Sequence, residues 1–299
     1  MFIHDLQQLA KMPPLIEGDI NGCEWLGFNT IEELCAPCLA QSEANISAFM
    51  QPIFGDMQQS RLGHYYELLW RCILHFNPNY DIIHNNLQIH QHNTTLGEMD
   101  FIVYNRALER YEHWELALKF FLGAGDTQQL NHWFGPNLKD RLDIKFEHIK
   151  NKQSQLSLHP ASIAQLEKQS IPITHRRVLI QGKLFHPSNI DTFNKPLSAN
   201  IHPQINPEHA HGQWITQDDF AHRPHDTHYY VLNRHLWLSG ANHFSSAIQH
   251  STQCQEKQLC NAKLQEPIQL LAHNTPIQSA FFLTPNDWQS SALQQHTNA

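Results

Sequence analysis

Two apolar runs separated by a polar connection dominate the pattern of the chain over Gly97–Leu122. The first run, Met99–Tyr104, is β-branched and aromatic, and the second, Trp114–Leu122, is apolar at alternate positions. Alternation of this kind is typical of β-strands, so the sequence predicts two strands with the charged segment Asn105–Glu112 outside the core. A helix is the alternative for the second run, because a glutamate and a lysine at i,i+4 also form a surface pair on a helix.

Charged side chains occupy the face that the apolar residues of these strands leave open. Alternation places Glu115 and Lys119 on that face of the second strand, and Asp100 lies at the start of the first. Two carboxylates on neighbouring strands can hold Mg²⁺ or Mn²⁺, which activates a bound water and neutralises charge on phosphorus. A nearby ammonium can offset developing charge. The pattern therefore suggests metal-dependent phosphodiester hydrolysis; a hairpin with one wet face is the competing interpretation.

The run Gly97-Glu98-Met99-Asp100-Phe101-Ile102, followed by a gap and a strand carrying Glu115, resembles the core of the PD-(D/E)XK nuclease superfamily. More closely, the chain resembles a bacterial family, the domain of unknown function 1853 family, which is usually grouped with those nucleases. The resemblance implies an α/β fold in which helices flank a restriction-endonuclease-like mixed sheet, with a β-rich C-terminal extension. The other matching stretches are Asp5-Leu6, Pro13–Leu15, Arg61–Glu67, Leu96–Val103, Glu115–Phe120, Gly135–Asn137 with Asp140, and Gly182–Pro187.

The resemblance also implies roles for individual residues. Asp100 and Glu115 would be catalytic and would hold Mg²⁺ or Mn²⁺, and Glu67 matches the helix position that often supplies a further acidic ligand. The superfamily lysine that follows the glutamate two residues later is replaced here by Ala117. Lys119 lies on the same face, with its Cα about 13 Å from that of Glu115 rather than about 6.5 Å. It is predicted to be the displaced catalytic lysine.

Glu67 belongs to a predicted helix over residues 60–76, at the edge of its apolar stripe. A solvated glutamate, or one paired with Arg71, is equally compatible with that position. Tyr80–His92 and Val178–Phe185 are predicted strands on either side of the central pair.

The resemblance and a shift in composition together divide the chain into four regions. Residues 1–55 are a helical N-terminal segment, 56–190 the nuclease-like core, 191–212 a linker or long loop rich in Pro, Asn and His, and 213–299 a β-rich region. In the last region, short strands are predicted at 214–215, 229–232, 236–238, 268–272 and 281–283, and the final ten residues are predicted to be disordered.

Charge limits the nucleic-acid hypothesis. The 299 residues include 20 Lys+Arg against 28 Asp+Glu, a formal net charge of -8, which argues against a broad electrostatic grip on nucleic acid. Phosphate contacts would have to come from local basic positions. The candidates are Arg61, Lys139, Lys145, Arg176 and Arg177. For the lysines, a solvated helix face is the alternative.

Cysteine and histidine offer two further metal hypotheses. Cys35 and Cys38 form a CxxC without a second pair at zinc spacing, so two small apolar residues at a proline-kinked helix turn are the favoured interpretation. Imidazoles are good ligands for zinc, copper or nickel, but the whole chain contains 23 histidines, so a local cluster stands little above background. That cluster comprises His209, His211, His222, His225 and His228.

Three functional classes follow from the sequence. The first is a metal-dependent nuclease of unknown substrate, in which a metal-bound water attacks phosphorus in line. The second is a degenerate member of the same fold that binds nucleic acid or a protein without cutting, and the third is an interaction protein whose carboxylates are structural. The chain shows no signal peptide and no apolar run approaching a membrane span, so a cytoplasmic protein without a membrane partner is expected. Resemblance to resolvases permits a dimer.

Overall fold

The computed structural model describes residues 2–57, 62–92, 94–189, 191–192, 201–222, 228–238, 252–272 and 280–297. The chain forms two compact units, each built from separate stretches of sequence. The hairpin unit comprises Phe2–Leu118 and Lys145–Gln181, and the C-terminal unit comprises Lys119–Ile144 and Gly182–Ala299. The strands belong to a mixed 11-stranded sheet flanked by helices, which confirms the predicted α/β class.

Helices form much of the hairpin unit. They are α1 (Phe2–Ala10), α2 (Phe28–Leu39), α3 (Glu43–Met57), α4 (Leu62–Phe76) and α6 (Pro160–Glu167), and α5 (Leu142–His148) begins in the other unit. Helix α4 confirms the helix predicted over residues 60–76, and its stripe of Tyr65, Leu69 and Ile73 is buried as the periodicity requires. Among the described helices of the whole chain, none is long and apolar enough to cross a membrane.

The CxxC lies within α2, where Cys35 and Cys38 are both buried. Cys38 Sγ is 3.8 Å from Cys72 Sγ of α4. Burial, reinforced by the neighbouring Cys38, raises the pKa of the Cys35 thiol to about 12. A buried, protonated thiol is chemically inert, which describes Cys35. The hydrogen bond with Cys72 instead lowers the pKa of Cys38, and this contact joins α2 to α4.

Long strands supply the sheet of the hairpin unit. They are β2 (Tyr80–Gln91), β3 (Thr94–Asn105) and the first part of β4 (Arg110–Gly123), followed by the first part of β6 (Ile173–Pro187), with the short β1 (Glu24–Trp25) pairing in parallel with β6. The β2–β3 and β3–β4 ladders are antiparallel. The strands predicted at Tyr80–His92 and Val178–Phe185 are thus confirmed, and β4 is a strand rather than the alternative helix.

The predicted polar connection between β3 and β4 is wrong at both ends. Only Arg106–Glu109 separates the strands, since β3 extends to Asn105 and β4 starts at Arg110. Asn105 is 3% exposed and Glu112 is 0% exposed, so both belong to the core. The Asn105 amide caps the turn by accepting a hydrogen bond from Leu108 N at 3.1 Å.

Glu112 remains charged in the core because donors surround it. It accepts hydrogen bonds from Arg110 Nε at 2.7 Å, Trp114 Nε1 at 2.8 Å and Asn105 Nδ2 at 3.0 Å. Burial raises the pKa of this carboxyl, but the charge of Arg177 and these hydrogen bonds outweigh burial and the net pKa is lowered. The charge of Glu112 therefore does not indicate a surface position, although the hydrophobic pattern of the sequence suggested one.

The C-terminal unit contains the remaining strands. They are β5 (Trp133–Phe134), which pairs with the end of β4, and β7 (His211–Thr216), β8 (His228–Val231), β9 (Thr252–Gln255), β10 (Ile268–Ala272) and β11 (Ala280–Thr284). Their order from the end of β6 is β6-β7-β11-β10-β8-β9, with parallel pairs at β6–β7 and β7–β11. The helices of this unit are α7 (Gln217–Ala221), α8 (Glu256–Asn261) and α9 (Trp288–Thr297).

Two predictions for the C-terminal region are wrong. A strand is predicted at residues 236–238, but Arg234–Trp237 form a 3₁₀ helix. Leu236 and Trp237 are buried in this single turn after β8. The disorder predicted for the final ten residues is contradicted by α9, since Trp288 is 3% exposed and its Nε1 donates to the carbonyl of Pro136 at 2.8 Å. The composition of the last residues gives no indication of this contact between Trp288 and Pro136.

Candidate functional site

Asp100 and Glu115 lie on β3 and β4 directly after Phe101↔Trp114, the last described pair of the hairpin ladder. Asp100 Oδ2 accepts a hydrogen bond from the backbone N–H of Leu116 at 2.8 Å. The backbone N–H of Asp100 in turn lowers the pKa of Glu115. The Asp100 carboxylate thus takes the place of a ladder acceptor where regular pairing ends, and this hydrogen bond holds it beside β4.

Both carboxyls favour the protonated form. Glu115 is 1% exposed, and burial, only partly offset by Lys145 and the Asp100 N–H, raises its pKa to about 8. Burial, followed by the repulsion of Glu115, raises the pKa of Asp100 well above its usual range. The interpretation of this hairpin as one with a wet face is wrong, because β4 is buried on both faces from Glu112 to Ala117. Buried acids that perturb one another are common at functional sites.

Glu67 reaches the same region from α4. Its Oε2 accepts a hydrogen bond from Asn86 Nδ2 at 2.8 Å, and the same amide donates to Glu98 Oε1 at 3.2 Å. Burial raises the pKa of Glu67. The charge of Glu67 raises the pKa of Asp100 and of Glu115, so the three predicted ligands share one electrostatic environment.

An open pocket of about 200 Å³ adjoins Glu67 in the hairpin unit. Its described polar walls are His64, Glu67, Arg71, Asn85 and Asn86. The pocket thus combines a guanidinium and two amides with one of the predicted acidic ligands, a set that can contact phosphate and base edges. Glu67 lines this pocket, and its charge acts on the pKa values of Asp100 and Glu115.

Glu115 has partners that sequence analysis did not assign to the site. His113 Nε2 lies 2.8 Å from Glu115 Oε1, and Gln153 Nε2 donates to Glu115 Oε2 at 3.0 Å. Lys145 Nζ donates to Gln153 Oε1 at 2.7 Å, and its charge lowers the pKa of Glu115. Alternation along β4 placed His113 on the face of Glu115, whereas nothing local to β4 indicated the residues from α5 and from the π-helix Ile149–Gln153 that follows it.

A hydrogen-bonded chain continues from His113 to Ser157, whose Oγ lies 3.2 Å from His113 Nδ1. Ser157, His113 and Glu115 are the residue types of a nucleophilic triad. Ser157 is 3% exposed and His113 is 0% exposed, so a substrate carbonyl has no access to the hydroxyl as the chain is arranged. Burial also lowers the pKa of His113 to about 4, and a neutral imidazole here positions Glu115.

Lys119, the predicted catalytic lysine, forms an ion pair in the C-terminal unit. Its Nζ donates to Asp140 Oδ2, and both side chains are half-buried. The catalytic role of Lys119 stays a prediction. Ala117 is 7% exposed, so the position where the superfamily has its lysine is part of the apolar core.

The predicted phosphate-contacting residues occupy different environments. Arg61 lies outside the described residues. Lys139 is exposed before α5, and Lys145 is half-buried within it. Lys145 is therefore partly shielded from solvent, as a residue of a binding site would be. Lys139 is instead a solvated surface cation.

The two arginines of β6 interact with the protein itself. Arg176 Nη1 donates to Gln155 Oε1 at 2.6 Å and to the Ser154 carbonyl at 3.1 Å. Arg177 is 8% exposed, with its Nε 3.3 Å from Glu112 and 3.4 Å from Glu24. In this arrangement both guanidinium groups stabilise the hairpin unit, and their contact with nucleic acid stays a prediction.

The donor chemistry of the carboxylate pair suits a hard cation. Mg²⁺ is commonly held by one or two carboxylates, with water and substrate phosphate completing its shell. Asp100 and Glu115 supply that number of oxygen ligands, and a cation would relieve the repulsion between them. Within the described ranges, no group of three or more His, Cys, Asp and Glu side chains is already arranged to hold a metal ion.

Comparison with known proteins gives one match. The sequence model of a family described as "Domain of unknown function (DUF1853)" matches residues 4–284. No curated protein and no solved structure matches the chain.

Proposed function

Since the chain belongs to the DUF1853 family, we propose that it is a metal-dependent phosphodiester hydrolase of the PD-(D/E)XK type. One observation carries the proposal: Asp100 and Glu115 lie side by side on adjacent strands, Glu115 buried and Asp100 half-buried, and each is driven toward its neutral form. A fold gains no stability from such a pair of acids unless another interaction compensates, whereas a divalent cation converts the pair into ligands.

Each residue of the hairpin unit has a distinct part in this proposal. Asp100 and Glu115 would hold Mg²⁺ or Mn²⁺, with Glu67 as an additional acid at the pocket. When bound, the cation lowers the pKa of a coordinated water and neutralises charge on phosphorus. His113 and Gln153 fix the orientation of the Glu115 carboxylate through its two oxygens.

The ammonium of this proposed site comes from Lys145. It is the cation that acts most strongly on the pKa of Glu115. An ammonium at this position can offset the charge that develops on a phosphoryl group. Lys119 remains the alternative, and the two lysines are separable by substitution because their hydrogen-bond partners differ.

Nucleic acid is the proposed substrate class. The pocket beside Glu67 supplies Arg71 and His64 for phosphate, and Asn85 and Asn86 for base or sugar edges. The net charge of -8 predicts weak binding that depends on such local contacts. The cytoplasmic location and the dimer stay predictions of the sequence.

A second candidate is a protein of the same family that binds nucleic acid or another protein without cutting it. The observation that favours it is the hydrogen bonding of Glu115, both of whose oxygens already have partners. The presence of Ala117 at the usual lysine position favours it as well.

Calorimetric titration of Mn²⁺ tests the proposal without a known substrate. We expect the wild type to bind Mn²⁺ and Asp100→Asn to bind at least about ten-fold more weakly, because one of two charged ligands is lost. Asp81→Asn is the matched control, since Asp81 is an exposed residue of β2 paired with Arg106. Equal affinity in wild type and Asp100→Asn, or no binding by either, would contradict a metal site at this pair and favour the second candidate.

A further inference from the structure

Three histidines lie near one another in the C-terminal unit. They are distant in the sequence from Asp100 and Glu115, and they offer imidazole nitrogens rather than carboxylate oxygens. His186 lies near the end of β6, and His209 and His211 lie around the start of β7, the parallel neighbour of β6. The ring centroids of His186 and His209 are 6.2 Å apart, and those of His209 and His211 are 5.9 Å apart. An H-x-H pair facing a histidine of the next strand can present three imidazoles to one point.

The hydrogen bonding of His209 is that of a metal ligand. Its Nδ1 lies 2.7 Å from the carbonyl oxygen of Asn206, so Nδ1 carries the proton and donates it. Nε2 therefore holds the lone pair. This atom is buried and has no hydrogen-bond partner among the residues that the structure describes. Histidines that bind a metal through one nitrogen typically donate the other N–H to a carbonyl in this way.

The surroundings keep the buried rings neutral. His186 is 3% exposed, and burial, together with the nearby His209 and His211, lowers its pKa to about 4. Burial also lowers the pKa of His209. A metal binds the neutral form of imidazole. The buried rings are already in that form near pH 7, so metal binding does not require them to release a proton.

We propose that His186, His209 and His211 form a binding site for a divalent transition metal of the zinc class. Imidazole nitrogens select Zn²⁺ and its neighbours over Mg²⁺, so this site differs in chemistry from the carboxylate pair. With Zn–N bonds of ~2.0–2.1 Å and tetrahedral angles, ring centroids would lie about 5 Å apart.

The observed distances between ring centroids are about 1 Å longer than this. In agreement with that, no group of three ligands in the described part of the chain is already arranged to hold a metal ion. His211 is exposed, so its ring can turn toward the two buried rings without disturbing the core. A zinc site with three histidines keeps its fourth position open for water or another ligand.

The site revises the histidine cluster predicted from sequence. His186 was not in that cluster, and it joins through the pairing of β6 with β7. His222 instead has its Nδ1 2.6 Å from the Asp218 carbonyl, at the end of α7. His225 lies outside the described residues, and the side chain of His228 is likewise not described.

Zinc titration of the full chain tests this proposal. We expect one Zn²⁺ to bind the wild type, and His209→Gln and His211→Gln each to weaken binding at least about ten-fold. Co²⁺ should give the visible absorption of a four-coordinate site in the wild type and lose it in both variants. His211 is exposed, so thermal unfolding of His211→Gln should match the wild type and exclude misfolding as the cause.

Two controls separate this site from others in the chain. His222→Gln removes an exposed histidine and should leave zinc affinity unchanged. The same comparison made in an Asp100→Asn background removes the proposed carboxylate metal site, so a loss of zinc affinity caused by His211→Gln in that background is independent of the proposed hydrolase. Failure of the wild type to bind Zn²⁺, or wild-type affinity in His211→Gln, would overturn the proposal and leave a buried water as the partner of His209 Nε2.

Discussion

Lys145 and Glu115 are joined through a single amide, that of Gln153. Lys145 Nζ donates to Gln153 Oε1 at 2.7 Å, and Gln153 Nε2 donates to Glu115 Oε2 at 3.0 Å. The amide is thereby oriented by a cation on one side and a carboxyl on the other. This contact gives Glu115 a source of positive charge that its own strand does not provide.

Lys145→Met is expected to raise the pKa of Glu115 above its value of about 8, because the ammonium lowers that pKa in the wild type. The titration of the Glu115 carboxyl carbon can be followed by NMR. Lys139→Met is the control, since Lys139 is exposed and should leave the titration unchanged. If the proposed hydrolase is correct, cleavage by Lys145→Met should fall at least about ten-fold. An unaltered Glu115 titration would show that the two groups are not coupled.

Glu115→Gln is expected to make stability less dependent on pH between about 6.5 and 8. A carboxyl whose pKa is raised on folding stabilises the folded state below its unfolded pKa, and this contribution is lost as pH rises through the folded pKa of about 8. Glutamine does not titrate. The wild type should therefore lose about 1–2 kcal/mol relative to the variant across that interval.

The interval is chosen to exclude His113. The pKa of His113 is lowered to about 4 from an ordinary value of 6.5, so its contribution to stability rises with pH only below the interval. Urea unfolding at both pH values gives the comparison. Parallel pH profiles for the wild type and Glu115→Gln would contradict the raised pKa.

Arg177→Met is expected to destabilise the hairpin unit by about 3 kcal/mol, because it leaves the buried Glu112 without its strongest cation. The guanidinium also lies 5.6 Å from the ring centroid of Trp114, a contact that methionine replaces only in part. Denaturant unfolding measures the loss. Arg106→Met breaks the exposed pair with Asp81 and should change stability little. Similar effects of the two substitutions would mean that the buried pair has no special role.

Gly182→Ala is expected to prevent folding or to cost more than about 4 kcal/mol. Gly182 has φ +141°, and a Cβ at this position would overlap the backbone carbonyl of Lys119. Gly63→Ala is the matched control, because Gly63 lies in α4 with open space around its Cα and should gain about 0.5–1 kcal/mol. Soluble expression and thermal unfolding distinguish the two, and a stable Gly182→Ala protein would contradict the close approach of β4 and β6.

Periodicity was sufficient to predict the central elements of the hairpin unit. The helix containing Glu67 and the strands containing Asp100 and Glu115 follow from apolar spacing, since one stripe or face of each packs on the core. The burial of Glu112 was not predictable in this way. Its charge is stabilised by Arg177. Because Arg177 is distant in the sequence, the residues around Glu112 do not indicate this partner.

The candidate site was predictable only in part for the same reason. The carboxylates come from two strands of one hairpin, and sequence spacing is enough to associate them. Gln153 is 38 positions from Glu115, and the two helical segments that carry Lys145 and Gln153 have no fixed spacing from β4. His209 and His211 belonged to the histidine cluster noted in the sequence, which stood little above background, whereas His186 required the pairing of β6 with β7.

The raised pKa of Glu115 means that this residue takes up a proton when the chain folds near pH 7. An unfolded glutamate is ionised at that pH, while the folded residue, with its pKa of about 8, is mostly protonated, and Asp100 shifts in the same direction. The folded chain is therefore less negative than its formal charge of -8. The heat of folding should vary with the ionisation enthalpy of the buffer, and a cation that occupies the pair should return those protons to solution.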